Sequence, residues 1–392
     1  MNTILRGVTW DHTRGYSPLA ATAKTYTEFH PGIEIVWERR SFRSFGEEPL
    51  APFADKYDLV VFDHPFTGDA AAQGLLLPLD EHLAADFMAD QRAQSVGHSC
   101  ASYAHQGRQV GLAIDAAVQL AAWRTDLMSA GGHAVPRTWD EVIALGEQTG
   151  RVRVPLAPMG AMGTFFSLCA GLGEPAAEGR DRFVTRETGN GALGTLARLF
   201  RISGPDSLQL GVVSLLTRLA TTNELLYAPC QYGYNNFARD GFALNRLSFG
   251  PIPQFDLKHQ GGANLGGAGI GIFAASPRRD AALEYLQWLL SETVQRTLYT
   301  HSGGQPGHRR AWLDDVNNQI THGFFRDTLP EHDAAYCRPT FPGFPQFQSA
   351  GGKLLHAFLG GEKSAAVVLA GLDSHYKAAL ETGFPFEEGR DQ

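Results

Sequence analysis

The chain has 392 residues, which is enough for two or three domains and for a large buried core. Asp and Glu total 41 against 33 Lys and Arg, and the resulting net charge of −8 argues against nucleic acid or an anionic membrane as a partner. A hydrophobic fraction of 43% excludes disorder as the main state. The sequence also lacks the run of about 20 apolar residues that a membrane-spanning helix needs.

The first residues predict a strand and not an export signal. Residues 4–10 (ILRGVTW) follow Met1 and Asn2 directly, without the basic start, long apolar stretch and small-residue cleavage site of a signal peptide. We therefore expect either a cytoplasmic protein or one whose signal has been removed, which would place it in the periplasm or outside the cell.

The cysteines predict neither disulfides nor a metal site. No two of them form a Cys-x-x-Cys pair, and none has a histidine at metal-ligand spacing. We expect four buried free thiols, no metal and no cofactor, with the thiols at Cys100, Cys169, Cys230 and Cys337.

The first 62 residues alternate between strand and helix. Strands are predicted at 4–10, 33–37 and 57–62, and a helix with Ser17 as N-cap and Pro18 at its first position is predicted to run to about His30. Because a strand, a helix and a second strand in this order form a βαβ unit, the pattern predicts a parallel sheet covered by helices.

The next segment contains a predicted hairpin and a helix with a clear start. Residues 102–104 and 109–114 are expected to pair across a turn at Gln106-Gly107. Thr138 and Glu141 have the spacing of a capping box, and Gly150 is placed to end the helix that follows.

The last third combines a glycine-dense stretch with amphipathic helices. Residues 261–271 are dense in glycine, and 270–274 are expected to form a strand. A long helix is predicted from Ser276-Pro277 to Gly303-Gly304, and further helices are predicted over 349–359 and 364–380.

Glycines at 267, 269 and 271 resemble a dinucleotide-binding loop only in spacing, because they precede a strand instead of joining a strand to a helix. A more informative pattern is the pair Asp11-His12 after the first strand and Asp63-His64 after the third. In a sheet of strand order 2-1-3, both pairs would face the crevice between strands one and three, with Trp10 beside them. Local capping by these residues is the structural alternative.

Three further sequence features suggest ligand contacts. Asp115 follows a predicted strand and is a third candidate carboxylate. Arg14 could pair with Asp11 or bind an anionic ligand, and the sequence does not separate these two roles. The segment 232–236 (YGYNN) interleaves aromatic and amide side chains, which suits a loop that stacks on a ligand and hydrogen-bonds to it, although core aromatics need no such role.

The order of motifs along nearly the whole chain resembles the carbohydrate-type extracellular solute-binding proteins of ABC importers. No single motif is specific, but their order and spacing together are. The segments that carry the resemblance are 110–115, 123–127, 135–141 (VPRTWDE), 250–253 (GPIP), 270–272, 281–289, Gly304-Gln305-Pro306 and Arg338-Pro339.

The resemblance implies an α/β chain with the two-lobed, type II periplasmic-binding-protein-like fold. Each lobe would contain a mostly parallel sheet flanked by helices, and a ligand cleft would lie between the lobes. The expected lobes are 1–113 with 268–325, and 114–267 with 326–392. The residues expected to bind ligand are Trp10, Asp11, His12, Arg14, Asp63, His64, Asp115, Tyr232, Tyr234, Asn236, Asn264 and Gln305.

Three functions are compatible with this pattern. The resemblance implies a monomeric protein that captures a small sugar- or polyol-like solute by lobe closure for an ABC permease. An enzyme on the same scaffold would use His12 or His64 for proton transfer, with Asp11 or Asp63 orienting it. A ligand sensor would bind without turnover and without a permease.

Overall fold

The computed structural model describes residues 3–257 and 261–382. Its nine strands alternate with helices in the first third of the chain and are widely spaced after that. The strands are β1 (Thr3–Trp10), β2 (Ile33–Arg40), β3 (Leu59–Phe62), β4 (Ala104–His105), β5 (Arg108–Gln109), β6 (Leu112–Trp123), β7 (Tyr227–Tyr232), β8 (Ser248–Gly250) and β9 (Leu265–Ile272).

Helices make up most of the remaining described chain. They are α1 (Thr13–Phe29), α2 (Phe42–Glu47), α3 (Thr67–Ala72), α4 (Ala85–Ala93), α5 (Thr125–Ala130), α6 (Trp139–Thr149), α7 (Pro158–Gly171), α8 (Arg186–Ser203), α9 (Val212–Thr221), α10 (Arg279–Leu289), α11 (Glu292–Val294), α12 (Arg309–Leu313), α13 (Asp315–Ile320), α14 (Phe324–Asp333), α15 (Phe344–Leu359) and α16 (Ala365–Thr382). Among the described residues, no helix is both long and apolar enough to cross a lipid bilayer.

One seven-stranded sheet runs through the molecule in the order β2-β1-β3-β9-β6-β7, with β8 also paired to β6. The predicted 2-1-3 order of the first three strands is confirmed, and these strands are parallel. Strand β9 is antiparallel to both β3 and β6, and β7 and β8 are antiparallel to β6. The named strands around β6 are therefore not the mostly parallel sheet expected for the second lobe.

The buried side chains of the described residues form three clusters that draw on different parts of the chain. Two clusters draw on residues 5–114 and 268–299. A larger one draws on residues 116–265 and 312–379, together with Val96. Trp312 and Phe324, which the sequence assigned to the first lobe, belong to the larger cluster. Strands β6 and β9 are the elements that pass from one set of clusters to the other.

Local signals predicted several elements correctly. The capping box is present: the Thr138 hydroxyl accepts from the Glu141 N–H at 3.2 Å, the Glu141 carboxylate accepts from the Thr138 N–H at 3.1 Å, and Gly150 adopts a left-handed conformation. The prediction for the first helix was wrong at its start. His12, and not Ser17, caps α1. Pro18 is the sixth residue of the helix, where it lacks the N–H that would donate to the Arg14 carbonyl oxygen.

Two predictions in the last third had wrong bounds. The strand predicted at 270–274 is β9, which begins at Leu265 within the glycine-dense stretch and ends at Ile272. The helix that begins after Ser276 ends at Leu289, where the Ser291 side chain caps a new turn, and a π-helical turn follows over Gln295–Tyr299. The predicted hairpin forms only its short strands β4 and β5, and residues 112–114 belong to the long strand β6.

Gly267 is expected to tolerate no side chain. Its φ is +110°, and a Cβ atom there would lie 2.5 Å from the Asp115 carbonyl oxygen. The variant Gly267→Ala should lower the free energy of unfolding by more than about 2 kcal/mol, measured by urea denaturation. Gly194→Ala in α8 is the control, because nothing lies within 4 Å and the change should instead stabilise the helix by roughly 0.5–1 kcal/mol. Equal effects of the two substitutions would contradict this reading of β9.

Candidate functional site

The candidate site is a small cavity where the ends of β1, β3 and β7 meet the crossing strands β6 and β9. Its volume is about 70 Å³. Charged and aromatic side chains line it together with the glycines of β9. The lining residues are Trp10, Arg14, Phe42, Phe45, Asp63, Asp115, Ala117, Tyr232, Tyr234, Gly266, Gly267, Ala268 and Arg338.

A buried ion pair joins the first turn of α1 to β6. Arg14 Nε donates to Asp115 Oδ2 at 2.7 Å, and Arg14 Nη2 donates to Asp115 Oδ1, so the pair is bidentate. Both side chains are almost fully buried. Burial raises the pKa of Asp115, and the adjacent guanidinium opposes that rise. Of the two roles that the sequence left open for Arg14, pairing prevails, but its partner is Asp115 and not Asp11.

Arg14 also reaches the segment after β7. Its Nη1 donates to the Gly233 carbonyl oxygen at 2.8 Å, and its guanidinium lies 4.4 Å from the centre of the Tyr234 ring. A guanidinium over an aromatic face at this distance makes a cation–π contact. Arg14 therefore connects the element that follows β1 with the element that follows β7, one from each set of core clusters.

A second ion pair crosses the cavity with a looser geometry. Arg338 Nη2 lies 3.2 Å from Asp63 Oδ1 and 3.4 Å from Asp63 Oδ2, so one nitrogen serves both oxygens. Burial raises the pKa of Asp63, but Arg338 and His64 outweigh it and hold that pKa below its usual range. Arg338 is held independently by Gln348 Oε1 at 2.7 Å and by the Leu265 carbonyl oxygen at 3.3 Å.

Aromatic rings form two walls of the cavity. Trp10 packs against Phe45 with ring centres 5.0 Å apart, and its Nε1 is buried with no hydrogen-bond partner among the described residues. Tyr232 lies on the other side, where its hydroxyl accepts from Asn264 Nδ2 at 2.8 Å. Asn264 is fully buried behind Tyr232, and its Oδ1 has no partner among the described residues.

Neither histidine of the predicted Asp-His pairs lines the cavity. His12 Nδ1 accepts from the Arg14 N–H at 3.0 Å, and its ring packs edge-on against Tyr234. Burial, reinforced by Arg14, lowers the pKa of His12 to about 4. His64 is fully buried with its Nδ1 3.4 Å from Asp63 Oδ1, and burial lowers its pKa to about 4 as well. Both rings are neutral at pH 7.

Three other predicted site residues lie outside the cavity wall. Asp11 is 57% exposed and pairs with Arg39 at 3.1 Å, so the expectation that Asp11 and Asp63 share one crevice is wrong. Gln305 donates to the Ala116 carbonyl oxygen at 2.7 Å, and Asn236 donates to the Gly303 carbonyl oxygen at 3.0 Å. Gln305 and Asn236 tie the loops beside the cavity together.

The structure brings six of the twelve predicted residues into the cavity wall: Trp10, Arg14, Asp63, Asp115, Tyr232 and Tyr234. Sequence reasoning missed Phe42 and Phe45, which lie on the short helix α2, for which no element was predicted. It used Arg338 only as part of a motif. Within the described ranges, no group of three His, Cys, Asp or Glu side chains is arranged to hold a metal ion.

Comparison with known families supports the resemblance noted from the sequence. Residues 9–172 match the family model described as bacterial extracellular solute-binding protein. The matched segment runs from the end of β1 to the end of α7. It contains seven of the residues that line the cavity, among them Trp10, Arg14, Asp63 and Asp115.

Over nearly its whole length the chain is similar in fold to solved structures of solute-binding proteins. The structure of maltose-bound MalE3 of T. maritima has a TM-score of 0.83 at 17% identity, covering 96% of this chain and 99% of that one. A solute-binding protein of Agrobacterium radiobacter K84 in complex with ribitol has a TM-score of 0.79 at 17% identity, covering 96% and 98%. The structure of the GacH receptor of Streptomyces glaucescens has a TM-score of 0.79 at 17% identity, covering 98% of this chain and 100% of that one. The predicted two-lobed fold class is confirmed.

The Arg14→Met variant should lower the free energy of unfolding by about 3–5 kcal/mol, because it leaves Asp115 buried without its counter-charge. Urea denaturation measures this loss. The double variant Arg14→Met with Asp115→Leu removes both charges and should recover part of it. A loss below about 1 kcal/mol in the single variant would show that Asp115 has another partner.

Acid should destabilise the protein between pH 6.5 and 4. Burial lowers the pKa values of His12, His64 and His332 to about 4, so between these limits the unfolded chain binds more protons than the folded one. Each histidine should therefore cost about 1.4 kcal/mol of stability per pH unit as the pH falls. Urea denaturation at several pH values measures this slope. His64→Gln should reduce the slope, and an unchanged slope in this variant would contradict the prediction.

Proposed function

We propose that this protein, whose fold is that of ABC-transporter solute-binding proteins, captures a small hydroxylated solute such as a sugar or polyol and presents it to an ABC permease. The observation that carries the proposal is the cavity between the two sets of core clusters, which charged and aromatic side chains from both line. Such a site can report binding through lobe closure, because a ligand that contacts both lobes stabilises the closed state.

The free hydrogen-bonding atoms near the cavity favour a hydroxylated ligand. Arg338 Nε and Trp10 Nε1 are donors, Asn264 Oδ1 is an acceptor, and none of the three has a partner among the described residues. Asp63 adds carboxylate oxygens, which interact with one Arg338 nitrogen at 3.2 and 3.4 Å and with His64. A hydroxyl group both donates and accepts, so neighbouring hydroxyls match this mixed set. The aromatic walls suit the apolar face of a sugar ring.

The charges in the cavity favour an uncharged ligand. Arg14 and Arg338 are each paired with a carboxylate, so the four charged groups sum to zero. A carboxylate or ammonium on the ligand would add one uncompensated charge to a buried site, which is costly. This balance supports neutral sugars and polyols over sugar acids and amino sugars.

Entry of a solute requires the lobes to separate. The cavity of about 70 Å³ is much smaller than the roughly 300 Å³ at the lower end of small-molecule sites. The contacts that would open are Asp63 with Arg338 and Arg14 with the Gly233 carbonyl oxygen. Asp115 lies on β6 at the junction between the lobes, between Ile114 and Ala116, so its pair with Arg14 can persist when they separate. We propose that the solute enters when these contacts part and is enclosed when the lobes close again.

We propose lobes built from residues 1–113 with 268 to about 305, and from 114–267 with the chain after that point. The core clusters support the junctions at 113 and 267. They favour a chain that returns to the second lobe before Trp312 and not after residue 325, because Trp312 packs in the core cluster of the second lobe. The acid–base alternative finds no support in His12 and His64, whose lowered pKa values keep them neutral and unable to act as charged acids at pH 7.

Asp63→Asn should weaken binding of the true solute by at least about tenfold, because it removes a charge-assisted acceptor from the cavity wall. Isothermal calorimetry against neutral sugars and polyols, including maltose, ribitol and D-mannitol, identifies the solute and measures the loss. Asp11→Asn is the matched control, because Asp11 is exposed and outside the cavity.

The binding is expected to be one to one, without chemical change of the solute. Unchanged affinity in Asp63→Asn, or equal losses in Asp63→Asn and Asp11→Asn, would contradict the assigned site. Turnover of the solute would contradict the proposed function.

A further inference from the structure

A second and larger cavity lies within the part of the chain that surrounds the end of β6. Its volume is about 440 Å³, and it shares no lining residue with the cavity at the strand ends. A volume of this size falls in the range of sites for small molecules. Its walls come from the end of β6, the segment before α6, the segment after β8 and one face of α14.

Glu331 of α14 is the unusual polar group in this wall. Its side chain is buried, with 7% of the residue exposed, and its Oε1 has no hydrogen-bond partner among the described residues. The carboxyl group also interacts with the backbone N–H of Ile252, and burial raises its pKa to about 7. A buried carboxylate without a counter-charge is costly, so a cation beside it would be strongly stabilised.

The remaining lining is mostly apolar. Trp123, Pro136, Pro251 and Pro330 are among the residues that line the cavity. An indole face is the best of the aromatic surfaces for a cation–π contact, and proline rings pack against apolar bodies. A ligand that fits here has an apolar part as well as a charge.

The charge of the wall selects a cation over an anion. Asp327 lies one helical turn before Glu331 on α14 and also lines the cavity. Arg137 is the one lining guanidinium among the described residues, and both Arg137 and Asp327 are exposed. Two carboxyl groups against one guanidinium favour a positively charged guest.

We propose that this cavity is a second binding site, separate from the solute cleft, for a small organic amine whose ammonium group pairs with Glu331. The amine's apolar body would pack against Trp123 and the surrounding prolines. The site goes beyond the capture of a hydroxylated solute, because its residues and its ligand chemistry are both different.

Benzylamine is a suitable probe, because it combines an ammonium group with an apolar ring, and benzyl alcohol is its uncharged counterpart. Titration of the full chain by calorimetry should show binding of benzylamine and binding of benzyl alcohol that is at least about tenfold weaker. Glu331→Gln keeps the shape of the side chain and should weaken benzylamine by a similar factor. Asp315→Asn, which removes one negative charge from a fully exposed position, should leave binding unchanged.

A second variant separates loss of the site from loss of the fold. Ala334→Leu adds side-chain volume to the exposed edge of the cavity and should weaken benzylamine without altering the thermal midpoint. Binding of the sugar or polyol in the cleft should be the same in all variants. No detectable benzylamine binding, equal binding of the amine and the alcohol, or full binding by Glu331→Gln would each overturn the proposal.

Discussion

The burial of Arg14 against Asp115 constrains the arrangement of the cleft more than any other single interaction. Two charges removed from water are tolerated only if their geometry is close to ideal, and this pair is bidentate. The requirement fixes the first turn of α1 against the middle of the sheet. From that position Arg14 can also reach the Gly233 carbonyl oxygen and the Tyr234 ring, so one buried guanidinium positions a cavity wall contributed by a distant part of the chain.

The same sheet shows where sequence reasoning succeeds and where it fails. The order of β1, β2 and β3 follows from local alternation of strand and helix, and the cap at Thr138 follows from two side chains three residues apart. The first part of strand β9 could not be recognised locally, because its glycines are typical of loops. They are required by distant rings: a Cβ on Gly266 would lie 2.5 Å from Tyr232, and one on Gly269 would lie 2.4 Å from Tyr103. Tertiary packing overrides the local preference there.

The residues of the candidate site also divide into those that the sequence predicts and those that it does not. Asp63 and Trp10 could be found because both lie at strand ends, but the alternation of a strand explains the failure at Asp11. Trp10 points into the cavity, so the next residue points away from it and reaches Arg39 at the surface. Arg338 lies 275 residues from its partner Asp63, and no local spacing predicts such a pair.

The two ion pairs in the cavity differ in how readily the carboxylate can give up its arginine partner. Both carboxylate oxygens of Asp115 accept hydrogen bonds from Arg14, and separating the two side chains would leave two buried charges without a partner. Arg338 still has Gln348 Oε1 and the Leu265 carbonyl oxygen as acceptors when Asp63 turns away, so that guanidinium stays hydrogen-bonded. Asp63 can therefore accept from a hydroxyl of the solute at a smaller cost than Asp115 can. The looser pair is the one that can open for a ligand, while the tighter pair keeps the frame in place.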